Sequence, residues 1–158
     1  MSPLFRKRAF ERAKDGTFDV RLDDGSREVL RSVSVQLREL LELDTSDPAL
    51  KRLFPVAYAA DPDREEEYRL LVRDDLAQRR RASLDTLAAT AGATSVTEEE
   101  LLAWMGAVND LRLVLGTRLD VSEDMDPVPD PEDPEAPLHA LYGYLGYLLE
   151  SMVEAVSS

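Results

Sequence analysis

Cysteine is absent from this 158-residue chain, and histidine occurs once, at His139. Without cysteine there is no disulfide, no thiolate metal site and no thiol redox couple, which fits a chain with no need of an oxidising compartment. A single histidine removes the usual zinc constellations and the paired Glu-x-x-His ligands of di-iron bundles. The 7 glycines build neither a phosphate-cradling loop nor a G-x-S-x-G elbow. Bases are also short: 19 Lys and Arg face 32 Asp and Glu, a formal net charge of -13. Such a surface repels phosphate backbones and anionic headgroups, so neither nucleic acid nor a membrane is expected as a direct partner. No apolar run reaches the roughly 20 residues of a membrane span, and MSPLFRKRAF lacks the apolar segment of a signal peptide. A soluble cytoplasmic protein is expected. Carboxylate pairs are abundant, but in so acidic a chain they carry little information. No catalytic residue, cofactor or metal is assigned, and the chain is expected not to be an enzyme.

What is present is 44% hydrophobic residues, enough for one core in one domain over 1–158. From Phe5 to Asp24 apolar and polar residues alternate around Asp15-Gly16, which predicts a β-hairpin. Its bases, Arg6, Lys7, Arg8, Arg12 and Lys14, form either a contact edge for an acidic partner or the charged guard that edge strands carry. Residues 26–119 are expected to be helical. Ser26 is the expected cap of a helix that presents Val29, Val33, Leu37 and Leu40 inward to about Leu43. Asp47-Pro48 starts a short helix stopped at Pro55, whose Leu53, Phe54, Val56 and Tyr58 close the end of the bundle. Asp61-Pro62 opens a helix of about 30 residues to Gly92, with a stripe from Tyr68, Leu71, Val72 and Leu76 to Ala91. A bend is expected near Arg79-Arg80-Arg81, whose partners should be Asp74, Asp75 and Asp85. Ala93–Val96 reads as a turn, and Thr97 with Glu100 as a capping box. Residues 120–136 carry eight acids, no base and prolines at 127, 129, 131 and 134; the segment should be a solvated loop, since it lacks an EF-hand's ligand spacing. Residues 137–157 form a last helix lined by Leu138, Leu141, Leu145, Leu148, Leu149, Met152 and Val156. The whole predicts a mainly α protein, a bundle of about five helices with a short N-terminal β-hairpin.

The stretch Trp104–Leu119 organises the rest. Leu101, Trp104, Val108, Leu111 and Leu115 make one stripe, broadened by Leu102, Met105, Val114 and Leu119, as befits a helix covered by several neighbours. Asn109, Arg112 and Arg118 interrupt it, and burying an unpaired guanidinium would cost several kcal/mol. Either they anchor the fold, with Arg112 paired to Asp75 or Glu150, or they line a groove for a partner's carboxylate. In the last helix Gly143 and Gly146 imply close approach by a neighbour. Tyr144 and Tyr147, three residues apart, form a candidate exposed aromatic pair, and such pairs are enriched at interfaces. The candidate site, a partner-binding or structural polar cluster, is therefore Asn109, Arg112, Arg118, Tyr144 and Tyr147.

With W-x-x-x-x-N-D-L-R-L-x-L-G-T-R-L over Trp104–Leu119, LKRLFPVAYAAD over Leu50–Asp61 and LYGYLGYLLESMV over Leu141–Val153, the chain resembles the AosR-like family of small actinobacterial proteins from about Glu28 to Val156. The resemblance implies a cytoplasmic regulator of the oxidative-stress response that contacts a stress sigma factor or RNA polymerase. Alternatives are an accessory to Clp-type proteolysis and a small-ligand binder or enzyme with a pocket at Arg112. A homodimer is left open. Members with the proposed redox mechanism carry a Cys-x-x-x-Cys pair. This chain has none, so disulfide switching does not carry over.

Overall fold

The computed structural model describes residues 7–54, 61–68, 72–120 and 132–158. It is mainly helical, with five α-helices and one three-stranded antiparallel sheet among those residues. The hairpin forms as expected, with β1 at Phe10–Arg12 paired to β2 at Phe18–Val20 in the register Phe10↔Val20. Between them Gly16 takes φ 89°, and the Asp15 carboxylate accepts from the Thr17 amide at 3.0 Å. Phe10, Phe18 and Val20 are buried, so one face of the hairpin closes the core. Phe5 and Arg6 lie outside the described residues. Ser95–Val96, expected as a turn, instead forms β3 and pairs Val96 with Phe18. Two residues are too few to show alternation, so only the pairing identifies them as strand.

Helix α1 spans Asp24–Leu43. Its cap is Asp23, whose side chain accepts from the Ser26 amide at 2.6 Å, rather than Ser26 itself. The buried residues are Leu30, Ser34, Leu37 and Leu41, whereas Val29 is exposed. Of the expected inward residues Leu37 is buried and Val33 and Leu40 are half-buried against the core, so the inward face departs from expectation at Val29 and extends to Leu30, Ser34 and Leu41. Apolar residues occupy both candidate faces of α1, and packing against α3 selects one. Asp47 caps a single 3₁₀ turn, Pro48–Leu50, and Leu50, Leu53 and Phe54 are buried beyond it. Val56 and Tyr58 lie outside the described residues.

Asp61 accepts from the Arg64 amide at the start of α2, Pro62–Tyr68. Val72 and Arg73 form a wide π turn ahead of α3, Asp74–Thr90. The expected helix from Pro62 to Gly92 therefore appears as two described segments, and residues 69–71 lie outside the description. Helix α3 buries Ala77, Leu84 and Leu87; Val72 is exposed.

Helix α4, Glu98–Arg118, starts at the expected capping box: Glu100 N–H donates to Thr97 Oγ1 at 3.1 Å and Thr97 N–H to Glu100 Oε1 at 2.8 Å. It packs against both α3 and α5, Ala136–Ser157. Trp104 is fully buried, edge-on to Phe10 at 5.9 Å, and its indole N–H donates to Thr90 Oγ1 at 2.7 Å. Leu102 points outward instead of broadening the stripe, and so does Leu138 at the start of α5. Leu145, Leu148, Met152 and Ala155 are the buried side of α5. Gly143 faces open space, so its lack of a side chain admits no neighbour there.

Candidate functional site

Helix α4 supplies the polar groups of greatest interest, and its apolar turns determine where each one points. Asp110 lies on the buried side, three residues after Ala107 and four before Val114, both of which are buried. Its carboxylate is 5% exposed and pairs with the Arg80 guanidinium of α3. Arg80 also donates to the Leu53 carbonyl at 3.2 Å, and its guanidinium lies 5.8 Å from the Phe54 ring. On the same ring Arg73 sits at 4.9 Å, donating to the Thr45 carbonyl. Burial pushes the Asp110 carboxyl above the ordinary carboxylate value, while Arg80 pulls against that shift. This ion pair was missed in the sequence because an acid in an acidic chain reads as solvated. The available signal was its spacing from Ala107 and Val114.

The residues singled out in α4 are placed differently. Asn109 is half-buried and makes no side-chain hydrogen bond among the described residues. Arg112 is also half-buried, but neither Asp75 nor Glu150 is its partner. Its guanidinium lies 5.4 Å from the Tyr142 ring, a cation–π contact across α4 and α5. Asp75 instead pairs with Arg79 at 3.0 Å, while Asp85 pairs with Arg38 of α1 at 2.6 Å. The Arg79–Arg81 run is thus divided: one base serves its own helix, one the buried acid, and Arg81 the Leu41 carbonyl at 3.5 Å. Beside Tyr142, a Cβ on Gly116 would come within 3.1 Å of the tyrosine ring and 3.0 Å of Arg52 Nη1. Gly116 is thus the glycine at which close approach is built in, and Gly146 meets only ordinary contact with Arg112 Nε at 3.6 Å.

Tyr144 and Tyr147 stack at 6.2 Å with an interplanar angle of 28°. They are not equivalent. Tyr144 is half-buried and donates to Ser26 Oγ at 2.9 Å, which ties α5 to the start of α1, whereas Tyr147 is 55% exposed. His139, near Asp133 at 4.0 Å, stands apart from both groups. Among the described residues no group of three or more His, Cys, Asp or Glu is placed to hold a metal ion.

Arg118, exposed in the last turn of α4, opens onto a different feature. A groove of about 360 Å³ runs between α1, α4 and α5, walled by Leu37, Leu40, Leu111, Leu115, Leu141 and other apolar side chains. Polar groups enter it from Gln36, Glu39 and Arg118. Arg112 is not among the lining residues. The five candidate residues therefore do not converge: Arg112 lies against Tyr142, Arg118 lines the groove, and the tyrosine pair sits on α5.

Two guanidiniums outside the expected site hold the sheet in place. Arg27 donates to four backbone carbonyls, those of Val20, Leu22, Ala91 and Ala93, at 2.6–3.0 Å. Arg12 donates to the Val156 carbonyl at 3.0 Å and lies over the Phe18 ring. The second is one of the bases proposed as a contact edge, and it closes the C-terminal end of α5 instead, where a cation also suits the helix dipole.

A family model described as a domain of unknown function, DUF2017, matches residues 7–156. The chain belongs to the DUF2017 family. Relatives include the oxidative stress regulator AosR of Mycobacterium tuberculosis and of Mycobacterium bovis, each 31% identical over 113 residues, covering 57% of this chain and 52% of the relative. The putative oxidative stress regulator AosR of Mycobacterium leprae is 33% identical over 93 residues, covering 48% of this chain and 42% of its own. The chain thus spans about half the length of the curated relatives it matches. These relatives are named as regulators, and the resemblance read from the Trp104–Leu119 motif is to this same group. No solved structure matches. No described helix is long and apolar enough to cross a membrane.

Proposed function

We propose that this DUF2017 protein is a non-enzymatic, cytoplasmic regulator that works through protein contacts with the transcription machinery, a sigma factor or RNA polymerase, during oxidative stress. The observation that carries the reading is its similarity to proteins named oxidative stress regulators. The surface supports it physically. A net charge of -13 disfavours direct contact with DNA but suits a basic, DNA-binding protein. Tyr147, exposed and stacked on the tethered Tyr144, offers a rigid aromatic contact that loses little side-chain entropy on binding. With no cysteine, the chain does not report oxidation through its own disulfide. Its contribution is a binding surface.

Affinity capture from the host's lysate tests this reading. The wild-type chain should recover a sigma factor or polymerase subunit. Tyr147→Ala should lower that recovery by at least about tenfold, since a central interface tyrosine is worth roughly 2 kcal/mol. Failure to recover any polymerase component, or equal recovery by the variant, contradicts the proposal.

A further inference from the structure

The groove between α1, α4 and α5 differs in kind from the tyrosine surface, and we infer that it binds a small amphiphilic carboxylate: an apolar tail between the helices and a carboxylate on Arg118. Three observations lead there. Size comes first. At about 360 Å³ the groove lies in the range of small-molecule sites, about 300–1,000 Å³, whereas a protein interface needs roughly 800 Å² from each partner. A space of that size takes an aliphatic chain of medium length.

The second is the lining. Leucines and valines from three helices make most of it, and Leu43 and Leu138 on its lip are 83% and 42% exposed, apolar side chains that a bound tail would cover. Charge is the third. Arg118 is the only cation in the lining and makes no ion pair among the described residues. It is accessible on an otherwise acidic molecule, and its planar fork accepts a carboxylate through two parallel hydrogen bonds. Glu39, on the α1 wall, carries the opposite charge and leaves the α4 side as the place for an anion.

Decanoate is the probe, with decylammonium as its control of opposite charge, each titrated into the full chain below its micelle concentration and followed by NMR of leucine and valine methyl groups. The overall charge of -13 makes the control stringent, because nonspecific association with so acidic a surface favours the cation. The inference predicts that decanoate binds at least about tenfold tighter than decylammonium, with shifts centred on Leu40, Leu115 and Leu141. Arg118→Gln, an exposed substitution checked for folding by circular dichroism, should remove that preference. Leu115→Phe, which fills part of the groove, should weaken both probes. Binding that favours the cation, shifts outside the groove, or decanoate affinity unchanged in Arg118→Gln would each overturn the inference. So would groove methyls that respond only to a protein partner, which would make this face a protein-docking surface.

Discussion

At the residue scale, charged groups that face inward matter more than the polar cluster first visible in α4. Asp110 and Arg80 form a pair whose acid is almost wholly buried, so removing the base alone leaves an unmatched carboxylate in a low-dielectric site. Arg80→Met should destabilise the fold by roughly 3 kcal/mol at neutral pH, as buried pairs do when one partner is lost. Because burial already raises the Asp110 pKa, that loss should shrink as pH falls and the carboxyl takes up a proton. The double variant Arg80→Met/Asp110→Leu should recover most of the stability, and urea denaturation across a series of pH values measures all three states. Arg27 is different, because its four carbonyl acceptors belong to separate segments. Arg27→Lys keeps the charge but cannot span four acceptors, and a loss of about 2 kcal/mol is expected in the same assay. Nothing in the sequence around Arg27 marks it, since all four acceptors are backbone atoms brought near by folding. Asp110 was legible in principle from its apolar neighbours at helical spacing. Asn109, one residue earlier, stands out with Arg112 and Arg118 because all three interrupt an otherwise apolar stretch.

At the scale of elements, signals confined to a few adjacent residues were the most readable. Thr97 and Glu100 are three residues apart and satisfy each other's amides, so the start of α4 was fixed locally. Thr97→Ala should cost about 1 kcal/mol of stability, read as a lowered urea midpoint with an unchanged slope. The hairpin around Asp15-Gly16 was equally local. Two features were not. The centre of α1's inward face depends on how the helix meets α3, which buries Leu30 and Leu41 and leaves Val29 out, and β3 exists because Thr94–Val96 is delivered to β2 from the far end of α3. Both are decided by contacts between segments distant in sequence. The tyrosine pair shows the same division: its spacing was visible, but the tie from Tyr144 to Ser26, 118 residues away, was not. Tyr144→Phe should therefore lower stability by about 1 kcal/mol, and Tyr147→Ala should leave it nearly unchanged.

For the whole molecule, charge governs both stability and association. Hydrogen bonds from Thr17, Ser26 and Ser46 hold the carboxyls of Asp15, Asp23 and Asp44 below their ordinary value of 3.8. A lowered folded-state pKa contributes stability that is present above the unfolded value and lost as pH falls through the folded one. Thermal stability should accordingly decline as pH drops below about 4, where these three groups take up protons. Asp110 acts in the opposite sense, since its raised pKa favours the folded state at acid pH. Between neutral pH and the isoelectric point near 4.5 the overall repulsion also weakens, so maximum stability is expected close to pH 5. The same charge makes any contact with a basic partner sensitive to salt, because the Debye length is only about 8 Å at 0.15 M ionic strength. The proposed binding of this DUF2017 protein to the transcription machinery can be read from sedimentation velocity of the full chain with purified RNA polymerase holoenzyme from its host. A complex at micromolar concentration that weakens with salt and with Tyr147→Ala is expected; no complex at any salt concentration, or one indifferent to both, would overturn the proposal.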